Sequence, residues 1–297
     1  MVDSNRIRFR NFWPGFDPRV NVFVKSLGHR RLQAPTEVES VFVSAWATLL
    51  TKIRRRLRGR LFFRGFSKSS VKLSLKRRVW YTGENIRPPF DGPYDAFISF
   101  DQDDYSGKNT YFPLLYSTVL VDSPENIKRR GIAVGDPRDL TRERKQAEDK
   151  TKFACAFIGN PESTRLRAVE QLRSYGQVDL YGPGVGNQVP SKYPLAKDYK
   201  FMLCFENDLF PGYITEKLLD AYLCGTVPLY WGDLGRDPLV NPRAFLNLKD
   251  FRSISEFAKT VGTMGVDEYS KIFQEPLLLG VPSLEPIATA IFGKENN

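Results

Sequence analysis

YKFMLCFENDLFPGYITEKLLDAYLCGTVPLYWGD, residues 199–233, has the grammar of one β-α-β unit. Tyr199–Phe205 is short and almost continuously apolar, as expected of a strand covered on both faces in a parallel sheet. It stops at Glu206. The polar segment from Glu206 to Ile214, punctuated by Pro211-Gly212, reads as a loop at the strand's carboxyl end. Thr215 fits an N-cap, residues 216–224 are compatible with helix, Gly225 is a C-terminal stop, and Val227–Trp231 resumes as a strand. A right-handed crossover sets the 206–217 loop over the carboxyl edge of the sheet, where open α/β sheets bind their ligands.

A helix starting at Thr215 offers unpaired backbone N–H groups, and Lys217 adds a positive charge beside them, a combination suited to a nucleotide-linked phosphate. Glu216 would be repelled by a diphosphate, yet its two oxygens suit the vicinal hydroxyls of a ribose. The alternative is that Glu216 only complements the helix dipole while Lys217 is solvated. The same stretch resembles the signature of the α1,3/1,4-fucosyltransferases, glycosyltransferase family ten. Phe205-Glu206-Asn207, Tyr213-Ile214-Thr215-Glu216-Lys217 and Val227-Pro228 stand in that family's order. The resemblance implies that Tyr213, Glu216 and Lys217 contact the GDP part of GDP-fucose, with Asn207 close by. It also implies a GT-B-like α/β fold, two facing Rossmann-like domains with a cleft between them, and a reaction that requires no metal or other cofactor.

With 297 residues the chain can hold one large or two ordinary α/β domains. No apolar run approaches bilayer length, and the opening MVDSNRIRFR has no apolar signal core. The three cysteines, Cys155, Cys204 and Cys224, are odd in number and fall in expected strands or helix, so buried thiols and a reducing, cytoplasmic location are expected. Animal members of the family are anchored in the Golgi by an N-terminal membrane segment. Its absence here suggests a bacterial-type enzyme or a truncated chain. The formal charge of +10 is local: twelve of the 44 Lys and Arg lie between Lys52 and Arg78 with no acidic residue among them, so the other 32 face 34 Asp and Glu.

In the N-terminal half, Ile7–Phe9, Val38–Ser44, Arg78–Tyr81 and Tyr94–Phe100 read as strands, with a helix over Pro18–Leu27. His29, the only histidine, lies in a basic loop and reads as a surface residue, which excludes a His-rich metal site. In the basic stretch Ile53, Leu57 and Leu61 share one helical face among arginines, the pattern of an interfacial helix on an anionic membrane. A solvated loop is the alternative, with nucleic acid a distant third. A transferase acting on lipid-linked glycans, as in lipopolysaccharide, would have a use for such a surface. Thr82-Gly83-Glu84-Asn85 follows the third strand. Bacterial members of the family show Tyr-Thr-Gly-Glu-Asn at the equivalent place, which implies that Glu84 is the general base. Asp101-Gln102-Asp103-Asp104 has Asp-x-Asp spacing, but the resemblance argues against a metal, and acceptor hydroxyls are its expected ligands.

Pro137–Lys150 is densely charged and poor in apolar residues, and it reads as a linker. Phe153–Gly159, a helix over Thr164–Tyr175 capped by Ser163, and Val178–Gly182 then form another β-α-β. Arg165 stands in that helix's first turn, where the dipole disfavours a cation. A phosphate held in charged hydrogen bonds of roughly 1.5–3 kcal/mol each would offset this. The family's corresponding block implies the same role. Gly182-Pro183-Gly184-Val185-Gly186 reads as a flexible loop, since no helix start follows it. Ala244–Leu248 reads as a strand and Ser255–Val261 as a helix.

The reading is therefore an acceptor-side domain, 1–145, and a GDP-fucose-binding domain, 146–297. The expected reaction is inverting transfer of L-fucose from GDP-β-L-fucose to a glycan hydroxyl, O3 of a GlcNAc-type residue, with Glu84 removing the proton. The alternatives are a related GT-B transferase with another nucleotide sugar, and a non-catalytic protein that binds anionic surfaces or nucleic acid through 52–78.

Overall fold

The computed structural model of the chain describes residues 7–10, 21, 23, 25, 40–44, 77–89, 91–145 and 150–292. Most of the helix expected at 18–27, His29 and nearly all of the basic stretch lie outside them. Two compact units emerge: Met1–Phe112 with Leu284–Asn297, and Pro113–Ser283. The division thus falls at residue 113 instead of 146, and the C-terminal segment belongs with the first unit.

The first unit is a parallel sheet in the order β1 (Ile7–Arg10), β2 (Ser40–Ser44), β3 (Arg77–Tyr81), β4 (Ala96–Ser99) and β5 (Asn109–Tyr111). All four residues of β4 are buried, as are Val79, Trp80 and Tyr81 in β3, so this sheet has the covered strands of an α/β unit. The last helix, Glu285–Phe292, places Ile287, Ala288 and Ile291 in the core against β3–β5.

In the second unit α1 (Leu114–Leu120) and α2 (Pro124–Arg130) precede β6 (Lys152–Phe157), α3 (Ser163–Leu172) and β7 (Val178–Tyr181). A single turn, α4 (Tyr193–Ala196), leads into β8 (Tyr199–Phe205), α5 (Glu216–Leu223) and β9 (Val227–Trp231). β10 (Leu246–Asn247), α6 (Ile254–Thr263) and α7 (Val266–Gln274) complete it. The sheet is parallel, ordered β10-β9-β8-β6-β7. In β8 only Lys200 is exposed, which explains why the sequence shows an apolar run without alternation. Pro228 sits in the interior strand β9 opposite Met202, and the outer partner β10 pairs only with Leu229 and Tyr230. The missing N–H therefore meets no β10 partner. Gly225, at φ +71°, ends α5 in the left-handed region, and its N–H donates to Tyr222 O at 3.0 Å.

Two expectations need correction. Gly182–Gly186 is a tight 3-10 turn in which Gly184 N donates to Ile158 O at 2.9 Å. A Cβ on Gly182 would lie 2.5 Å from Ile158 O, so the glycine allows close approach to the end of β6. The charged stretch read as a linker is built into the second unit. Leu140 is buried, Arg144 packs between the rings of Tyr222 and Phe273, and the outer charges pair locally as Arg138–Asp136 and Arg142–Asp139. All three cysteines are buried free thiols, as expected. Among the described residues no helix is long and apolar enough to cross a membrane.

Candidate functional site

The chain runs from β6 outward to β7, then returns to the other side of β6 to lay down β8, β9 and β10. The β6/β8 junction is therefore the topological switch point, where the connecting loops diverge and leave a crevice at the carboxyl ends. A pocket of about 290 Å³ opens there. Phe157, Asn160, Arg165, Lys192, Asn207 and Lys217 line it, so its wall carries three cations and no carboxylate. Three of the expected donor-site residues, Arg165, Asn207 and Lys217, thus meet in one place.

The group that organises this wall is Glu206, the polar residue that follows β8. Its side chain is fully buried. Oε1 accepts from Thr215 N at 2.8 Å and from the Tyr230 hydroxyl at 3.2 Å. Oε2 accepts from Thr215 Oγ1 at 2.7 Å and from Lys217 Nζ at 2.9 Å. Burial pushes the Lys217 pKa down, but the charges of Glu206 and Glu216 outweigh it and hold the ammonium above its ordinary value. Lys217 is therefore a fixed cation, not the solvated one of the alternative reading. Thr215 is the N-cap expected, its Oγ1 accepting from Lys217 N at 3.4 Å. Replacing Thr215 with Val, of nearly equal shape, removes the cap and one bond to a buried carboxylate. The loss of stability is expected to be about 1–3 kcal/mol, read as a lower urea midpoint at unchanged slope.

Arg165 lies in the first turn of α3, but the N-cap is Glu162, not Ser163: its carboxylate accepts from Thr164 N at 2.9 Å and Arg165 N at 3.3 Å. The guanidinium donates to Asn160 O, to Phe205 O at 2.9 Å and to Glu206 O at 3.3 Å. Burial lowers its pKa, with Glu162 and Glu206 acting in the opposite sense. Backbone carbonyls thus offset the unfavourable position without a bound anion, which weakens that part of the sequence argument; the pocket-lining position replaces it.

Tyr213 is buried and Glu216 is half-buried, and neither lines the pocket. Glu216 Oε1 lies 3.4 Å from Arg129 Nη1, which also reaches Asp220 at 3.1 Å. Glu84 belongs to the first unit, in the turn after β3. Thr82 Oγ1 accepts from Glu84 N at 3.1 Å and donates to Glu84 O at 2.8 Å, so the backbone beneath this carboxylate is pinned. Asp101, expected to meet acceptor hydroxyls, is buried and already accepts from Arg87 Nε at 2.7 Å, from the Tyr105 hydroxyl and from Asp103 N at 3.1 Å. Its carboxylate braces the loop between β4 and β5.

Comparison with known proteins matches residues 147–274 to the family described as "Glycosyltransferase family 10 (fucosyltransferase) C-term". An "Alpha-(1,3)-fucosyltransferase FucT" of Helicobacter pylori is 29% identical over 218 residues, which is 65% of this chain and 45% of that protein. A mouse "4-galactosyl-N-acetylglucosaminide 3-alpha-L-fucosyltransferase 9" is 32% identical over 134 residues, 43% of this chain and 37% of that one. The chain thus spans less than half the length of these curated relatives. Among solved structures, an alpha1,3-fucosyltransferase with GDP-fucose superposes with a TM-score of 0.63 at 22% identity, covering 96% of this chain and 88% of that one. This likeness is one of fold: two Rossmann-like units of the GT-B class.

Proposed function

We propose that the protein transfers L-fucose from GDP-β-L-fucose to a glycan hydroxyl with inversion, a reading supported by the match of residues 147–274 to the C-terminal family 10 fucosyltransferase model. The observation that carries this reading is the cationic pocket at the β6/β8 switch point. Bond cleavage leaves negative charge on the departing diphosphate and positive charge on the sugar, so catalysis needs fixed cations at the phosphates and a base at the acceptor. Lys217, held charged by Glu206, and Arg165 neutralise the diphosphate. Glu216 accepts from the ribose hydroxyls, and Asn207 and Tyr213 shape the nucleotide site. Glu84 removes the acceptor proton. The acceptor position proposed is O3 of a GlcNAc-type residue, in keeping with relatives described as 3-alpha-L-fucosyltransferases. The cytoplasmic setting expected from the three thiols belongs to the same proposal.

Calorimetric titration with GDP, GDP-fucose, UDP and ADP in EDTA tests the donor site. Guanosine-selective binding without metal is expected; no binding of GDP would overturn the reading, and a preference for UDP or ADP would move it to another nucleotide sugar. Arg165→Ala is expected to weaken GDP about 10- to 100-fold, the loss of charge-assisted bonds to phosphate. Unchanged affinity would remove Arg165 from the phosphate site.

A further inference from the structure

Lys192 has no role in the reading so far, and the sequence around it, NQVPSKYP, looks like an unremarked loop. The structure makes it a built feature. Lys192 N donates to Arg129 O at 3.3 Å, and Lys192 O accepts from Ala196 N at 2.9 Å, so its backbone is tied to both α2 and α4. The side chain, 15% exposed, lines the pocket and puts Nζ 2.6 Å from Asp220 Oδ2. Asp220 is fully buried in the second turn of α5 and is shared: Arg130 Nε lies 2.8 Å and Arg129 Nη1 3.1 Å from it. One carboxylate thus serves three cations. Arg130 has a second anion in Asp122 and Arg129 has one in Glu216, whereas among the described residues Lys192 pairs with Asp220 alone.

An ammonium has three N–H donors, and Asp220 takes one from Lys192 as Glu206 takes one from Lys217. Both ammoniums therefore keep N–H donors at the same pocket wall, Lys192 held in place by Asp220 within α5 and Lys217 by Glu206, which is bonded to the Thr215 cap of α5. We propose that Lys192 is a third cationic contact for the diphosphate of the pocket's nucleotide, locked in position by Asp220. This rests on the donor-site reading for the identity of the nucleotide, but the chemistry it asserts, a site for an anion of at least two charges, is independent of the base.

The test uses inorganic pyrophosphate and GDP as separate probes of the full chain by calorimetric titration. Lys192→Gln is expected to weaken both by about ten-fold, the loss of one charge-assisted contact, and Lys192→Arg to keep most of the affinity. Mass-spectrometric mapping of amine acetylation on the wild-type protein adds a readout independent of folding: pyrophosphate is expected to protect Lys192. Unchanged pyrophosphate affinity in the Gln variant, or no protection of Lys192 at saturating pyrophosphate, overturns the proposal while leaving GDP binding by the wild type intact. Binding of pyrophosphate but not GDP would overturn the donor reading and leave this one standing; binding of neither would end both.

Discussion

Glu84→Gln is expected to lower kcat by about 10²- to 10⁴-fold while GDP affinity stays within about two-fold of wild type, the signature of losing a general base. Glutamine keeps the size of the side chain and its capacity to accept a hydrogen bond, but it cannot take the proton from an attacking hydroxyl. The substitution also leaves the local backbone alone. Thr82 holds both the N–H and the C=O of residue 84, Ile86 N donates to the same carbonyl at 2.7 Å, and Thr82 N is tied to Ile98 O at 3.1 Å. A drop in kcat would therefore report chemistry and not a displaced turn. The donor pocket is built wholly from the second unit, so its affinity has no reason to follow. An unchanged kcat would send the search for the base elsewhere. Asp101 would be a poor choice, because burial raises its pKa but bonds from Tyr105 and Arg87 reverse this and leave a carboxylate already engaged below its ordinary pKa.

The parts of this fold that were legible in sequence are those written in adjacent residues. β8, the Thr215 cap, α5, Gly225 and β9 were readable almost to the residue, since an apolar run, a capping hydroxyl and a left-handed glycine are local signals. The site's residue types were legible as a motif. Their electrostatics were not. Glu206 looked like the first polar residue of a loop; its burial depends on Thr215, Lys217 and Tyr230 folding back on it across 9, 11 and 24 positions. The Arg130–Asp220 pair spans 90 residues, and nothing near either partner announces the other. A dense run of charge likewise reads as solvated until its partners are known, and this is how 137–150 came to look like a linker.

Arg144 turns that misreading into the second large prediction: Arg144→Leu is expected to destabilise the second unit by about 3–5 kcal/mol. The guanidinium is deeply buried, its hydrogen-bond partners among the described residues are backbone carbonyls, and burial pulls its pKa down to about 10, so at neutral pH it stays charged. What offsets the buried charge is the backbone. Nε donates to Phe273 O at 2.6 Å near the end of α7, and Nη1 donates to Tyr222 O at 3.2 Å and Thr226 O at 3.1 Å around the end of α5. These are the negative ends of two helix dipoles. The rings of Tyr222 and Phe273 lie 4.0 and 3.9 Å from the guanidinium carbon and add cation–π attraction. Replacing a buried ion by an apolar residue can be neutral where both partners of a pair are removed together. Here the three carbonyls remain, and leucine takes the guanidinium's donors from all of them, leaving Tyr222 O with the Gly225 N–H. For a chain of this size the loss corresponds to a fall in unfolding midpoint of roughly 6–20 °C. Arg144→Lys is expected to recover only part of it, since an ammonium cannot reproduce the planar fork that reaches two helix ends. Arg142→Leu, which removes an exposed pair with Asp139, is expected to change stability by less than about 0.5 kcal/mol. A midpoint for Arg144→Leu equal to that of Arg142→Leu would mean that 137–145 merely rests on the unit after all; a large gap between two arginines two positions apart would show that this charged run is an internal strut joining α5 to α7.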